Sequence, residues 1–194
     1  MAAKAGWALG LATMALTGCI SLGGEAPEQL YTLTPTATVA AGGGTTGSAS
    51  AALAVLVPST PERLNVTRVP VQVSESSLAY LQDAFWVEKP ALLFRNLLAE
   101  TIRARGNRLV VGGGELEYTA NTQLSGQLIE MGYDAPSMSV VVRYDAILSL
   151  PEGELRTRRF ESSIQGIAPQ ADAVGPALNQ AANDVAVQVA DWVG

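Results

Sequence analysis

The chain has 194 residues, 48% of them hydrophobic and 15% charged, with a net charge of −6. That balance suits a globular chain with room for one sizeable core, and it suits neither a disordered chain nor a nucleic-acid binder, which needs a basic face. Histidine is absent and cysteine occurs once, which excludes His-dependent triads, His-ligated zinc sites and an internal disulfide.

The first residues read as a leader. Met1 to Ala5 carry one cation, Lys4, and nothing from Trp7 to Leu16 is charged. This apolar run of about ten residues is half of what a membrane-spanning helix needs and fits the h-region of a secretory signal. Leu16-Thr17-Gly18-Cys19 resembles the bacterial lipobox, in which a small residue precedes a Cys that becomes acylated. Residues 1–18 are then a lipoprotein signal peptide, and cleavage frees the amine and thiol of Cys19 for two or three acyl chains, enough for a stable anchor. The competing reading is an ordinary signal peptide with an incidental Cys. Loss of Lys4 with the leader takes the charge to −7. Neither Ile20 nor Ser21 is acidic. By resemblance to enterobacterial sorting rules, the expected location is therefore the periplasmic face of the outer membrane, with inner-membrane anchoring left open.

Residues 19–29 form a polar tether, and 30–194 the folded body. "LYTLTP" at 30–35 alternates and predicts a short strand. Residues 36–51 are low-complexity Ala, Gly, Ser and Thr and predict a flexible loop; no Lys-Ser/Thr follows Gly42-Gly43-Gly44, so this is not a phosphate loop. Leu53 to Val57 is a continuous apolar run, expected to be a strand buried on both faces. Val66 to Val73 alternates, with Val69, Val71 and Val73 on one face and Pro70 marking an edge or a bulge. Leu78 to Leu81 predicts a brief strand ending in a turn at Gln82-Asp83.

Pro90 to Arg105 predicts a helix. Pro90 suits its first turn, Leu93, Phe94, Leu97, Leu98 and Ile102 make the apolar stripe, and Gly106 is the left-handed stop. Leu109 to Val111 is a short strand before a glycine turn. Tyr118 to Met131 reads as a strand ending at a turn over 132–137. Ser139 to Leu150 places Val140, Val142, Tyr144, Ala146 and Leu148 on one face, and Arg143, Asp145 and Ile147 on the other. Pro151-Glu152-Gly153 is a turn, and Leu155 to Ile164 another strand. Ala171 to Val193 is an amphipathic helix whose start Gly175-Pro176 is expected to delay. The order gives an α+β fold: a single, mostly antiparallel sheet with two main helices packed on it.

Catalytic patterns are missing: the chain has no G-x-S-x-G, S-x-x-K, C-x-x-C or Walker sequence. Glu115 and Glu117 share a face if extended, but a carboxylate acid/base pair needs more than that, and a solvated edge is the expected reading. Arg156 and Arg158 share a strand face and, with Arg159, form a small basic patch, able to meet an acidic partner or lipid headgroups, or simply solvated. Phe85-Trp86 precedes the first helix, and packing in the core against the helix start is its expected role; contact with a partner or a second copy is the alternative, with Tyr80, Phe85 and Trp86 as weak interface candidates.

Over "RLNVTRVPVQVSESSLAYLQDAFWVEKPALLFRNLLAETI", residues 63–102, the chain resembles the ABC-type transport auxiliary lipoproteins, the PqiC-like family, with Leu64, Arg68, Tyr80, Trp86 and Glu88 in that family's order. The resemblance continues to the closing "ADWV"; the Ala/Gly-rich 36–51 segment departs from it. It implies a non-catalytic, cofactor-free auxiliary subunit of an MCE-type system for lipids. An inner-membrane ABC permease and ATPase and an MCE-domain protein would be its partners, and a homo-oligomeric ring is an arrangement it allows. Other readings stay open: a lipoprotein of another outer-membrane assembly machinery, or a module that itself holds a lipid between sheet and helices.

Overall fold

The computed structural model describes residues 29–106, 108–112, 117 and 120–194. Two helices, α1 (Pro90–Arg105) and α2 (Ala171–Val193), pack on one face of a mixed sheet of seven strands. The strands are β1 (Leu53–Val55), β2 (Arg68–Ser74), β3 (Ser77–Phe85), β4 (Val110–Val111), β5 (Thr122–Asp134), β6 (Ser139–Ser149) and β7 (Leu155–Gln165). The fold is α+β, and its three long ladders, β2–β3, β5–β6 and β6–β7, are antiparallel.

β5 organises the sheet. One edge pairs with β6 along its whole length. The other edge is taken by parallel pieces in succession: Leu53–Val55 opposite Thr122–Leu124, Ser59 opposite Gln127, then Val71–Gln72 opposite Tyr133–Asp134. Between Ser59 and β2 the chain leaves the sheet through a short 3-10 turn at Glu62–Leu64. Ile129 is a bulge residue in β5, since Leu128 pairs with Tyr144 and Glu130 with Arg143. Its carbonyl accepts a 2.8 Å hydrogen bond from Arg63 Nη2. The guanidinium thus supplies the donor that the departing backbone does not, as a buried carbonyl requires.

The bulge also corrects the expected end of this strand. Simple alternation stops at Met131, but the extra residue resets the pleat, and Met131 and Tyr133 both reach the core. β5 therefore runs to Asp134, and the turn begins at Ala135. A similar correction applies to β3, where no turn interrupts Gln82-Asp83. Asp83 instead takes φ 56° inside the strand, at a register shift between Arg68↔Phe85 and Pro70↔Tyr80. Pro70 sits at that irregularity, where a missing N–H costs no ladder bond.

Three further expectations change: the strand at residues 30–35, the delayed start of the last helix and the length of the Leu53–Val57 run. Residues 30–35 make only one bridge, Tyr31 with Trp86. The backbone beyond it is held by side chains of α2: Asn179 Oδ1 accepts from the Thr34 N–H at 2.8 Å, Asn183 Oδ1 from the Thr36 N–H at 2.9 Å, and Asn183 Nδ2 donates to the Thr34 carbonyl at 2.9 Å. With those groups satisfied, no strand partner is needed. The segment 36–51 contains no strand, and its Val39 N–H donates to Glu100 Oε1 at 2.9 Å. Finally, α2 begins at Ala171 despite Gly175-Pro176. Pro176 is exposed, so the Asp172 carbonyl it leaves without an intrahelical donor faces water. Gly175 is needed as a glycine because a Cβ there would overlap the Tyr31 ring. The Leu53 to Val57 run contracts to Leu53–Val55, with Val57 exposed.

The core lies between helices and sheet. Leu93, Phe94, Leu97, Leu98 and Ile102 of α1 and Val174, Leu178, Ala181, Val185 and Val189 of α2 meet Leu124, Leu128, Val140, Val142, Tyr144 and Phe160. Phe94 stacks edge-on against Tyr144 at 5.2 Å, and the Tyr144 hydroxyl donates to the Ser125 carbonyl at 2.6 Å. Burial raises the Tyr144 pKa well above the ordinary tyrosine range.

Candidate functional site: the open face of the sheet

Helices cover one face of the sheet; on the other, Ala52, Ala54 and Ala120 are buried together beside β1, and among the described residues the side chains of β2, β3, β5, β6 and β7 that alternate away from α1 and α2 are the ones placed to meet another molecule. On β5–β6–β7 these include Glu130, Arg143, Asp145, Arg159 and Glu161, which pair across strands. Arg143 bonds Glu130 at 2.7 Å and Glu161 at 2.5 Å. Arg159 grips both oxygens of Asp145 at 2.6 Å. The Arg159 guanidinium holds the Asp145 carboxyl below the usual carboxylate range. Cross-strand register explains these pairs, since Arg143↔Glu161 and Asp145↔Arg159 are direct neighbours.

Nearer the middle of this face is a cleft of about 480 Å³, open to solvent and lined by Arg63, Gln72, Ser74, Glu75, Glu130 and Asp134. Arg63 is committed to the Ile129 carbonyl and Glu130 to Arg143. The lining is thus largely occupied by the protein's own hydrogen bonds.

At the opposite end of the face, Arg68 lies over two aromatic rings, 5.0 Å from the Tyr80 centroid and 5.8 Å from Phe85. The register places all three on the open side: Arg68 opposes Phe85, and Pro70 opposes Tyr80. Of the three aromatic candidates in the sequence, the structure thus brings Tyr80 and Phe85 together around Arg68. Trp86 points the other way and is 2% exposed, packed edge-on against Tyr31. Leu64 is fully buried and Glu88 exposed.

The remaining candidates separate in space. Arg156 and Arg158 share the helix-side face of β7, opposite Leu148 and Ala146. Arg156 bonds Glu154 at 2.8 Å and Arg158 lies 5.1 Å over the Phe160 ring, whereas Arg159 is on the open side. Glu117 has helical rather than extended backbone and lies 3.8 Å from Arg95; Glu115 falls outside the described residues, as do Leu16, Thr17, Gly18 and Cys19. Among the described residues no group of three or more His, Cys, Asp or Glu is placed to hold a metal, and no helix is long and apolar enough to cross a membrane. The sequence reading missed Arg63, the Arg143 triad and the Asn179/Asn183 pair. The last had a signal: two amides four residues apart on an otherwise apolar helix face.

No curated protein matches the sequence. The structure is similar to the crystal structure of protein XCC0632 from Xanthomonas campestris, of the family named DUF330, with TM-score 0.67 and 16% identity over 85% of this chain and 94% of that one. A second crystal structure, of an uncharacterized protein, aligns with TM-score 0.66 and 14% identity over 86% of this chain and 100% of that one. At these identities the likeness is one of fold. The family described as ABC-type transport auxiliary lipoprotein component matches residues 31–190, nearly the whole folded body, and the chain belongs to that family.

Proposed function

We propose that the protein is the lipid-anchored, non-catalytic auxiliary subunit of an MCE-type ABC system that moves lipids across the periplasm, held at the outer membrane by acyl chains on Cys19. The observation that carries this reading is the family match over residues 31–190, preceded by a leader that ends in Leu16-Thr17-Gly18-Cys19. The electrostatics of the open face support a docking role. Glu130 and Glu161 share Arg143, and Asp145 pairs with Arg159. The test is affinity purification of the tagged, acylated chain from native membranes. Recovery of an MCE-domain protein with its permease and ATPase is expected; recovery of β-barrel or lipopolysaccharide assembly proteins in their place overturns the reading.

A further inference from the structure

We propose that the corner of the sheet where the tether enters the fold lies against the bilayer, as a small interfacial patch that fixes the orientation of the anchored body. This rests on the acylation of Cys19 proposed above. The patch is built by backbone register. Tyr31 bridges Trp86 in parallel, with Tyr31 N–H donating to the Phe85 carbonyl at 2.7 Å and Val87 N–H to the Tyr31 carbonyl at 2.8 Å. On the other side, the Trp86 N–H donates to the Thr67 carbonyl at 2.8 Å, continuing the Arg68↔Phe85 register.

Alternation across these three segments sends Tyr31 and Trp86 to the core. It sends Phe85 and Arg68 to the open face, and Leu30, Val87 and Val66 follow at the ends of these segments, Val66 and Val87 in bends. Leu30 is 53% exposed, Val87 50% and Val66 37%. One exposed apolar side chain is ordinary, but three adjoining ones beside a half-buried Phe are not. Arg68 and Lys89, whose Nζ reaches Asn65 Oδ1 at 2.9 Å, supply cations beside them. Apolar and aromatic side chains flanked by cations suit the headgroup boundary of a phospholipid bilayer.

Chain length selects the occupant. Cys19 and Gln29 are ten positions apart, a reach of at most about 35 Å. The next residue, Leu30, is itself part of the patch. The acylated end therefore enters the fold through these side chains, and their effective concentration at the bilayer is high.

Acylation consumes the only thiol, so one added Cys carries a unique nitroxide label. Acylated full chain bearing Val87→Cys, Val66→Cys or, on the exposed face of α2, Gln180→Cys is reconstituted in phosphatidylethanolamine/phosphatidylglycerol vesicles. The ratio of oxygen to aqueous nickel collisions is then read for each label. The expected result is a ratio several-fold higher at Val87 and Val66 than at Gln180. Equal ratios on a chain whose mass confirms the acyl groups overturn the patch and leave the anchor intact. Exclusion of both oxygen and nickel at Val87 means that a second copy or another protein covers the corner, and also overturns it. Absence of acyl mass overturns the anchor and the patch together.

Discussion

Tyr31 and Trp86 face each other across a single parallel bridge, their ring centroids 6.2 Å apart and their planes at 70°. This contact joins the first described residues to the segment that enters α1. Gly175 of α2 lies against the Tyr31 ring, so residue 31, the sheet and α2 converge at one point.

Trp86 is therefore a principal packing residue. Its Nε1 has no hydrogen-bond partner among the described residues, so its contribution is area and shape. Trp86→Ala is expected to lower unfolding free energy by about 3–5 kcal/mol. Trp86→Phe should cost clearly less, because no hydrogen bond is lost. Urea titration of both variants reads the difference, and equal losses would show that the indole nitrogen has an acceptor.

Asn183 is 4% exposed and bonds the backbone at Thr34, Thr36 and Asn179. Asn183→Ala leaves backbone groups of residues 34–36 unpaired, and an expected loss of roughly 1–3 kcal/mol follows. Amide exchange should accelerate first at Thr36. Unchanged protection there would mean that the segment is held by other contacts.

Gly126 takes φ 146° within β5, and a Cβ would overlap the Asp145 carbonyl oxygen on β6. Gly126→Ala therefore combines backbone strain with a clash against rigid backbone. A loss of at least about 2 kcal/mol is expected, visible as a lowered urea midpoint.

Acid titration should expose two carboxylates. The Val39 N–H, and secondarily Arg103, holds the Glu100 pKa below its ordinary value; the bond from Arg159 does the same for Asp145. A depressed folded-state pKa contributes stability above the unfolded pKa, near pH 4, and that contribution fades as pH falls through the folded value. Unfolding free energy from these groups should be flat through neutral pH and decline below about pH 4. Glu100→Gln should flatten part of that decline, while a decline of unchanged slope would remove Glu100 from the account. Both carboxylates are partly exposed, so the effect should shrink with added salt.

Local pattern settled much of the architecture. Apolar spacing from Leu93 to Ile102 and from Val174 to Val189 records which helix faces are buried, and Pro90 and Gly106 bound α1 at both ends. Alternation from Val140 to Leu148, interrupted only by the apolar Val141 and Ile147 on the second face, separated the two faces of β6, and with them the open-side position of Arg143 and Asp145. Those patterns are written by burial, which acts residue by residue.

The tertiary structure alone decided where backbone groups find partners. Thr34 meets Asn183 across 149 positions and Ile129 meets Arg63 across 66, separations that no local window spans. Asp83 reads as a turn residue but sits in a strand, because its positive φ is absorbed at a register shift. Pro176 reads as a helix breaker but is harmless where its orphaned carbonyl faces water. Hydrophobic period is a property of one segment against solvent, and the sequence carries it directly. The satisfaction of an individual N–H or C=O depends on which distant side chain arrives beside it, and that exists only once the chain has closed on itself.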